Sequence, residues 1–127
     1  AIRFAERFSH EASRLAQDEG SSARRDELLR IAEICGHVPA HPARNLHEAL
    51  QSLWFAHLLL QIESNGHSMS LGRFDQYLAP FYRVDIDFGT LTREEAVELC
   101  QCFIIKCNQI RKARQWAHTR VNDMAAT

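Results

Sequence analysis

The sequence predicts an all-α fold of about five helices. Apolar residues recur at spacings of three and four along most of the chain, which is the pattern of amphipathic helices. Only 5 glycines and 3 prolines occur in 127 residues, and so few breakers favour long helices over an all-β fold. No stretch shows the alternation of apolar and polar residues that marks a half-buried strand.

The first two predicted helices span residues 1–18 and about 23–35. The run DEGSS between them is a cluster of helix breakers that separates the two apolar patterns. Gly36 follows the second pattern and is a typical residue for ending a helix. We therefore expect two distinct helices before a loop.

A loop and a third helix are predicted next. Two prolines in residues 36–45 rule out a regular helix there and hold the chain extended. Asn45 and Glu48 form a plausible N-cap pair, so the helix is expected to span about 46–62. It is apolar on nearly all sides, which predicts a helix buried inside something larger.

The fourth predicted helix is short. It covers residues 74–82 and is stopped or bent by Pro80. Asp85 and Asp87 follow in a connector that leads to Gly89. Because turn residues surround this acid pair, we interpret both side chains as solvated groups of a connector rather than as a catalytic pair.

The fifth predicted helix spans about 93–109 and is strongly apolar through AVELCQCFII. Thr92 and Glu95 form the capping box T-x-x-E at its start, which contributes about 1 kcal/mol of local stability. Residues 110–127 are polar and basic, and they are expected either to extend this helix or to fray. The whole chain, 1–127, is interpreted as a single helical segment.

Composition argues against several classes of function. The 15 Lys and Arg residues and 16 Asp and Glu residues give a net charge of -1, so no nucleic-acid or anionic-membrane partner is expected. The longest apolar run, Leu53 to Leu60, is far too short to cross a bilayer, and no secretory leader is visible. We predict a cytoplasmic protein. The missing initial Met and the lack of a clear structural end suggest a piece of something longer.

Redox chemistry at cysteine has little support in the sequence. No CxxC pair occurs among the four cysteines, at positions 35, 100, 102 and 107. Cys100 and Cys107 are expected to share one helix face, while Cys102 points away. We interpret all four as buried, reduced thiols that act as small hydrophobes.

The histidines do not form a metal-ligand pattern. Pro39 lies between His37 and His41 and forbids helical ligand geometry, and no HExxH motif is present. We therefore predict no metal site. His57 lies in an apolar helix and is interpreted as a core histidine with one bonded nitrogen. The aromatic residues before it are expected in the core as well: Trp54 and Phe55.

Residues 63–76, ESNGHSMSLGRFDQ, are the unusual part of the sequence because they place many polar groups between two apolar helices. A loop of this kind is able to present hydrogen-bonding groups to a buried pocket. Five of its side chains are suited to contacting a hydroxyl or a carboxylate: Asn65, His67, Ser68, Arg73 and Asp75. The alternative is a self-satisfied loop in which Arg73 pairs with Asp75 or with a helix end, and spacing alone leaves both open.

From Leu28 to Ile110 the sequence resembles the pyruvate formate-lyase-like glycyl radical enzymes, in the branch that contains glycerol and other diol dehydratases. Three stretches carry the likeness: ELLRIAEICGHVPAHPARNLHEALQSLWFAHLLLQIE, SNGHSMSLGRFDQYLAPFY and DIDFGTLTREEAVELCQCFIIKCNQI. Their most distinctive part is NGHS-x-S-x-GR-x-DQ. The likeness covers about two-thirds of the chain, and residues 110–127 match poorly.

This resemblance implies a barrel of two antiparallel halves wrapped in helices, of which the chain would be a helical segment. It implies homodimers and a radical lyase or dehydratase reaction that eliminates a C–O bond from a small polyol-like substrate. In such enzymes a glycine within R-V-x-G-[YF] holds a radical installed by an iron–sulfur, S-adenosylmethionine-dependent activating enzyme, and a cysteine within G-C-V-E takes hydrogen from the substrate. By motif, His67 and Ser68 correspond to side chains that approach the substrate hydroxyls. Asn65 belongs to the same loop, and Arg73 and Asp75 are expected to support it.

Both chemistry-bearing motifs of that family are missing. The Arg-Val pair at 120–121 is not followed by x-Gly, and no G-C-V-E occurs. The chain alone is therefore predicted to be inactive, without a catalytic residue or bound cofactor, and its expected partners are the rest of a parent enzyme and the activating enzyme. The alternative is a stand-alone helical oligomerisation module. Helices 46–62 and 93–109 are apolar on too many faces for a monomer, which predicts a dimer or higher oligomer.

Overall fold

A computed structural model describes residues 1–64 and 69–110 of the chain. They form five α-helices, and no strand occurs within these two ranges. In chain order the helices are α1 (Ile2–Asp18), α2 (Ser22–His37), α3 (Leu46–Glu63), α4 (Phe74–Asp87) and α5 (Arg93–Gln109). The all-α prediction is confirmed, and four of the five helices begin and end within two residues of their predicted limits.

The first two helices pack closely against each other because small residues line their contact. The buried positions of α1 are alanines: Ala5, Ala12 and Ala16. Across the contact, the hydroxyl of Ser9 donates to the backbone carbonyl of Ala32 at 2.7 Å. Gly36 was predicted to end α2 but lies inside it. A Cβ there would stand 3.2 Å from the Ser9 Oγ, so this glycine serves close packing rather than termination.

The third helix lies at the centre of the fold and contributes to two groups of buried side chains. The larger group joins α3, α4 and α5: Leu46, Ala49, Leu50, Leu78, Ala96 and Phe103. The smaller group joins α1, α2 and α3 through Ala5, Cys35 and Phe55. Because α3 packs on both sides, it needs apolar residues on more than one face, although Leu60 and Ile62 near its end are exposed. Phe55 is fully buried and Trp54 is partly buried.

The end of α4 differs from the prediction. The helix continues through Pro80 to Asp87, because Pro80 lies on the exposed side, where the loss of one backbone hydrogen bond is tolerated. The predicted connector therefore begins at Phe88, and the interpretation of Asp85 as a solvated acid is wrong. Its side chain is only 7% exposed and its carboxylate is fully engaged in hydrogen bonds. Asp87 is exposed, as expected.

Both predicted helix caps are present. Asn45 accepts a hydrogen bond from the backbone N–H of Glu48 at 2.9 Å. Thr92 and Glu95 form the complete capping box, with 3.2 Å from the Glu95 N–H to the Thr92 hydroxyl and 2.8 Å for the return bond. None of the five helices in the described residues is long and apolar enough to cross a membrane.

The cysteines follow the predicted helix faces but not the predicted burial. Cys35 is buried, and Cys100 and Cys107 are half-buried on one face of α5. Cys102 is exposed on the other face, so its interpretation as a buried thiol is wrong. All four are free thiols, and burial raises the pKa of Cys35 to about 11.

Candidate functional site

The predicted contact residues Asn65, His67 and Ser68 lie outside the described residues. The structure describes the residues on either side of them. Glu63 ends α3 on one side of them, and Phe74 begins α4 on the other. The two helices that bracket the segment pack on the same group of buried side chains, so both approaches to it are anchored in the core.

On the α3 side the chain leaves the helix at a capped end. The backbone N–H of Ser64 donates to the carbonyl of Leu60 at 2.9 Å, and the Ser64 hydroxyl donates to the same carbonyl at 2.6 Å. These bonds satisfy a carbonyl that the end of the helix leaves without a partner. Ser64 is thereby committed to the backbone of α3.

On the α4 side, Leu71 and Tyr77 fix the chain before the helix. The Leu71 side chain packs against the larger group of buried residues, and the Tyr77 hydroxyl donates to the Leu71 carbonyl at 2.9 Å. Burial raises the pKa of Tyr77, so this hydroxyl remains protonated and able to donate at neutral pH. Gly72 adopts a φ of +61°, a left-handed conformation that favours glycine, and its N–H donates to the Ser70 hydroxyl at 3.1 Å.

Arg73 and Asp75 are exposed at the beginning of α4. Arg73 is the N-cap residue, and Asp75 lies in the first turn, where a carboxylate interacts favourably with the positive end of the helix dipole. In the described part of the chain no ion pair joins the two side chains. Both side chains therefore lie next to the predicted contact segment, and they do not form an ion pair with each other.

His57 is buried in α3, about two turns before the segment. Its Nε2 lies 3.3 Å from the side-chain nitrogen of Gln61. The two side chains are within hydrogen-bond distance, and the donor depends on the tautomer of the ring. The Trp54 ring lies beside it, with 6.4 Å between centroids. The prediction of a core histidine with a bonded nitrogen is confirmed.

A polar cluster that the sequence did not predict lies at the opposite end of α3. It consists of Glu33, His37, Arg44 and Glu48, which we call the Arg44–Glu48 cluster. The Glu48 carboxylate is 1% exposed and accepts the Arg44 backbone N–H at 2.7 Å and the Arg44 side chain at both oxygens. Arg44 also reaches Glu33 at 3.2 Å, and the His37 Nε2 lies 3.8 Å from Glu48.

The electrostatics of this cluster centre on Glu48. Burial raises the pKa of its carboxyl, but the hydrogen bonds from the side chain and backbone of Arg44, together with the Arg44 charge, outweigh burial and lower the pKa overall. Glu48 is therefore ionised at neutral pH. The only signal for this pair in the sequence is the spacing of four residues between Arg44 and Glu48.

No group of three or more His, Cys, Asp and Glu side chains within residues 1–64 and 69–110 is arranged to hold a metal ion. All four cysteines lie within regular helices, and none stands in G-C-V-E. Burial raises the pKa of Cys35, Cys100 and Cys107. Cys102 is exposed on the surface of a regular helix.

These features define a helical segment whose α3 and α4 hold both ends of a polar stretch of sequence. The chain belongs to the Pyruvate formate lyase-like family, whose model matches residues 1–124. This confirms the resemblance that the NGHS-x-S-x-GR-x-DQ stretch indicated.

Two curated relatives that the chain matches bear the names of dehydratases. A probable dehydratase, YbiW, from Escherichia coli (strain K12) is 43% identical over 118 residues, which are 92% of this chain and 15% of YbiW. The trans-4-hydroxy-L-proline dehydratase of Clostridioides difficile is 40% identical over 80% of this chain and 13% of its own length. The chain thus spans less than one-sixth of the length of these relatives.

Solved structures show the same arrangement of helices. A structure concerned with 1,2-propanediol dehydration in Roseburia inulinivorans matches 92% of this chain and 14% of its own with a TM-score of 0.89 and 49% identity. The glycerol-bound B12-independent glycerol dehydratase of Clostridium butyricum matches 93% of this chain and 15% of its own with a TM-score of 0.86 and 40% identity. The five helices are therefore a helical segment of the glycyl radical enzyme fold.

Proposed function

We propose that this chain is the part of a glycyl radical lyase or dehydratase that presents His67, Ser68 and Asn65 to the substrate. The observation that supports this most strongly is the TM-score of 0.89 at 49% identity to the structure concerned with 1,2-propanediol dehydration. Because this match covers 92% of the chain, we expect α3 and α4 to have the same place in a larger enzyme as the matching helices have in that structure.

The proposed substrate is a small polyol or related molecule, and the proposed reaction is elimination of a C–O bond. An imidazole and a hydroxyl both donate and accept hydrogen bonds, so His67 and Ser68 are suited to orienting the hydroxyls of such a molecule. Holding the substrate in one orientation is a large part of what an enzyme contributes to catalysis. Arg73 and Asp75, at the beginning of α4, would support this loop.

The chain alone is proposed to be inactive. A glycyl radical, held in another part of the parent enzyme, would supply hydrogen abstraction there, and no cysteine of this chain stands in the G-C-V-E motif that such chemistry uses. The proposed partners are the remainder of the parent enzyme and an iron–sulfur, S-adenosylmethionine-dependent activating enzyme. A cytoplasmic location remains a prediction.

A chimera tests the substrate-contact role. Residues 1–110 of this chain would replace the matching part of the Clostridium butyricum glycerol dehydratase, and the activated chimera would be assayed with glycerol. We expect His67→Ala and Ser68→Ala each to raise the KM or lower the kcat about tenfold or more, because each removes a hydrogen bond to the substrate. Ser64→Ala is the matched control, since its hydroxyl is committed to Leu60. Unchanged kinetics in both test variants would contradict the proposal.

The inactivity of the isolated chain has a separate test. The chain would be incubated anaerobically with the activating enzyme of the same dehydratase and S-adenosylmethionine, and its EPR spectrum recorded. We expect no glycyl radical signal from the chain, while the full dehydratase in a parallel sample gives the doublet. A doublet from the chain alone would overturn this part of the proposal.

A second candidate function is self-association as a helical module. Large apolar side chains are exposed on the two helices predicted to lie in an interface, including Ile62 at 66% and Ile105 at 58%. An open apolar groove along α5 adds to this surface, lined by Tyr82, Val97, Cys100 and Ile104 among others. Exposed apolar surface of this kind marks an interaction site, and in the isolated chain the available partner is another copy.

Light scattering at high concentration tests self-association. We expect a dimer or larger species for the chain and a shift to monomer on Ile104→Glu or Ile105→Glu, with Glu98→Gln on the same helix as the control. A clean monomer for the unmodified chain would rule out this second function. It would leave the remainder of the parent enzyme as the partner for the apolar surface.

A further inference from the structure

Asp85 connects two helices whose facing ends are far apart in the sequence. Its Oδ2 accepts the backbone N–H of Leu46 at 2.8 Å, across 39 residues of sequence. Its Oδ1 accepts the hydroxyl of Thr90 at 3.1 Å. The carboxylate is buried, so these hydrogen bonds are sheltered from water.

The bond joins the beginning of α3 to the end of α4. Leu46 is the first residue of α3, and its N–H is one of the donors that the start of a helix leaves without a partner. Asp85 lies in the last turn of α4. The connection that contains the predicted contact residues lies at the other end of the same helix pair, between Ser64 and Arg73. The hydrogen bond from Leu46 to Asp85 therefore joins α3 and α4 at the end of the helix pair where no chain connection links them.

The side chain of Asp85 is held in place by the turn that follows α4. Gly89 adopts a φ of +66°, which brings the N–H of Thr90 back to the carbonyl of Asp85 at 2.9 Å. The Thr90 hydroxyl then lies within reach of the carboxylate. The Asp85 side chain therefore has a contact at its own helix end in addition to its bond to α3.

A hydrogen bond depends on the position of α3 along α4 more steeply than apolar packing does. The contact around it is made by Leu46, Leu50 and Leu78, whose attraction is nondirectional. Moving α3 by one turn along α4 shifts Leu46 by about 5.4 Å, which is far outside hydrogen-bond distance. The other polar groups at the start of α3 do not report such a shift, because the bonds of Asn45 and Glu48 go to the start of α3 itself, the loop before it and α2, and none goes to α4.

We propose that Asp85 is a positioning residue that fixes the register of α3 against α4 and thereby sets where Ser64 and Leu71 stand relative to each other. Those two residues are the described anchors on either side of the contact segment. The consequence for substrate binding rests on the proposed function of His67 and Ser68. The register itself is a property of the helix pair and does not depend on that function.

Amide hydrogen exchange of the 127-residue chain, followed by mass spectrometry, tests the register. In Asp85→Ala we expect exchange about tenfold faster at the beginning of α3, from loss of the cap, and also faster exchange in residues 60–64 and 69–74 at the far end of the pair. Asp85→Asn keeps an acceptor of the same shape and is expected to preserve the far end. Asp87→Ala removes an exposed acid of the same turn and is expected to change neither.

The pattern of exchange decides the proposal. Faster exchange confined to the beginning of α3 in Asp85→Ala would show a local cap and overturn it. Equally faster exchange in α1 and α2 of Asp85→Ala would show general destabilisation and would also overturn it. Remote loss of protection in Asp85→Ala that Asp85→Asn restores would establish the positioning role.

The glycerol dehydratase chimera separates this inference from the proposed function. If His67→Ala raises the KM for glycerol and Asp85→Ala raises it as well, with Asp85→Asn restoring it, both hold. If His67→Ala has the effect and Asp85→Ala does not, the link from register to substrate binding fails alone. If neither His67→Ala nor Ser68→Ala changes the kinetics, the proposed function fails, while the exchange experiment still decides the register.

Discussion

The carboxylate of Glu48, almost fully buried, is bound by both the backbone N–H and the guanidinium of Arg44, four residues earlier in the chain. A charged group at such a position is stable only when its hydrogen bonds are satisfied. Arg44 satisfies this requirement from the loop side while most of its own side chain remains in solvent. The loop between α2 and α3 is thereby fastened to the first turn of α3.

Removal of the Glu48 side chain is therefore expected to destabilise the fold strongly. Glu48→Ala leaves the Arg44 backbone N–H without its acceptor and opens a cavity at a buried position, which should lower the free energy of unfolding by about 2 to 3 kcal/mol. Urea denaturation followed by circular dichroism measures this difference. Glu33→Ala, which removes the exposed partner of the same arginine, is the control and should change stability by about 0.5 kcal/mol or less. Equal effects from the two variants would contradict the dominant role of the buried carboxylate.

The lowered pKa of Glu48 makes part of the stability dependent on pH. In the unfolded chain this carboxyl titrates near its ordinary value of 4.5, whereas in the folded chain its pKa lies below that value. The unfolded state therefore binds the proton more readily, so the stabilisation is fully present above about pH 5 and is lost as the pH falls through the lowered pKa. Glu48→Gln has no proton to take up at this site. Urea titrations at several pH values measure this effect. We expect the wild-type chain to have a higher free energy of unfolding than Glu48→Gln at neutral pH, and this difference should shrink as the pH falls below about 5.

A constant difference between the two chains across that range would contradict the assignment of the titration to Glu48. Glu33→Gln serves as the matched control because its carboxylate contacts the same arginine from an exposed position. Its unfolding curve is expected to follow that of the wild-type chain throughout.

The helices could be predicted from the sequence because their signals are local. The spacing of apolar residues gave α1, α3 and α5 almost to the residue, and the caps at Asn45 and Thr92 marked two starts directly. Pro80 misled because its effect on a helix depends on which side it faces, and this is set by tertiary packing rather than by the neighbouring residues.

The two buried carboxylates could not be assigned in the same way. Asp85 sits among turn residues, and its partner is 39 residues away, so its neighbours in the sequence indicate a solvated acid. Glu48 was correctly placed beside the N-cap of α3, but its side chain bonds Arg44 rather than the backbone of Asn45. Of the predicted contact residues, Arg73 and Asp75 are placed at the beginning of α4, and Asn65, His67 and Ser68 remain predictions because they lie outside the described residues.

The four thiols are expected to react at very different rates. Cys102 is exposed, whereas burial raises the pKa of Cys35 to about 11 and also raises the pKa of Cys100 and Cys107. The thiolate is the reactive form, so iodoacetamide at pH 8 should modify Cys102 first and Cys35 last. Peptide mass spectrometry after timed quenching gives the order. Cys102→Ser should remove the fastest phase alone, and early modification of Cys35 would contradict its burial in the contact of α1, α2 and α3.

The hydrogen bond from Tyr77 to the Leu71 carbonyl should control how firmly the chain is held before α4. Tyr77→Phe keeps the ring but removes the donor, and we expect a loss of about 1 kcal/mol or less in the free energy of unfolding, because the site is partly exposed. The diagnostic effect is local: hydrogen exchange in residues 69–74 should become faster while α1 and α2 keep their protection. Tyr82→Phe, on the same helix but without a bond to Leu71, is the matched control. If Tyr77→Phe left residues 69–74 as protected as before, the packing of Leu71 on the core would be sufficient by itself to anchor this side of the contact segment.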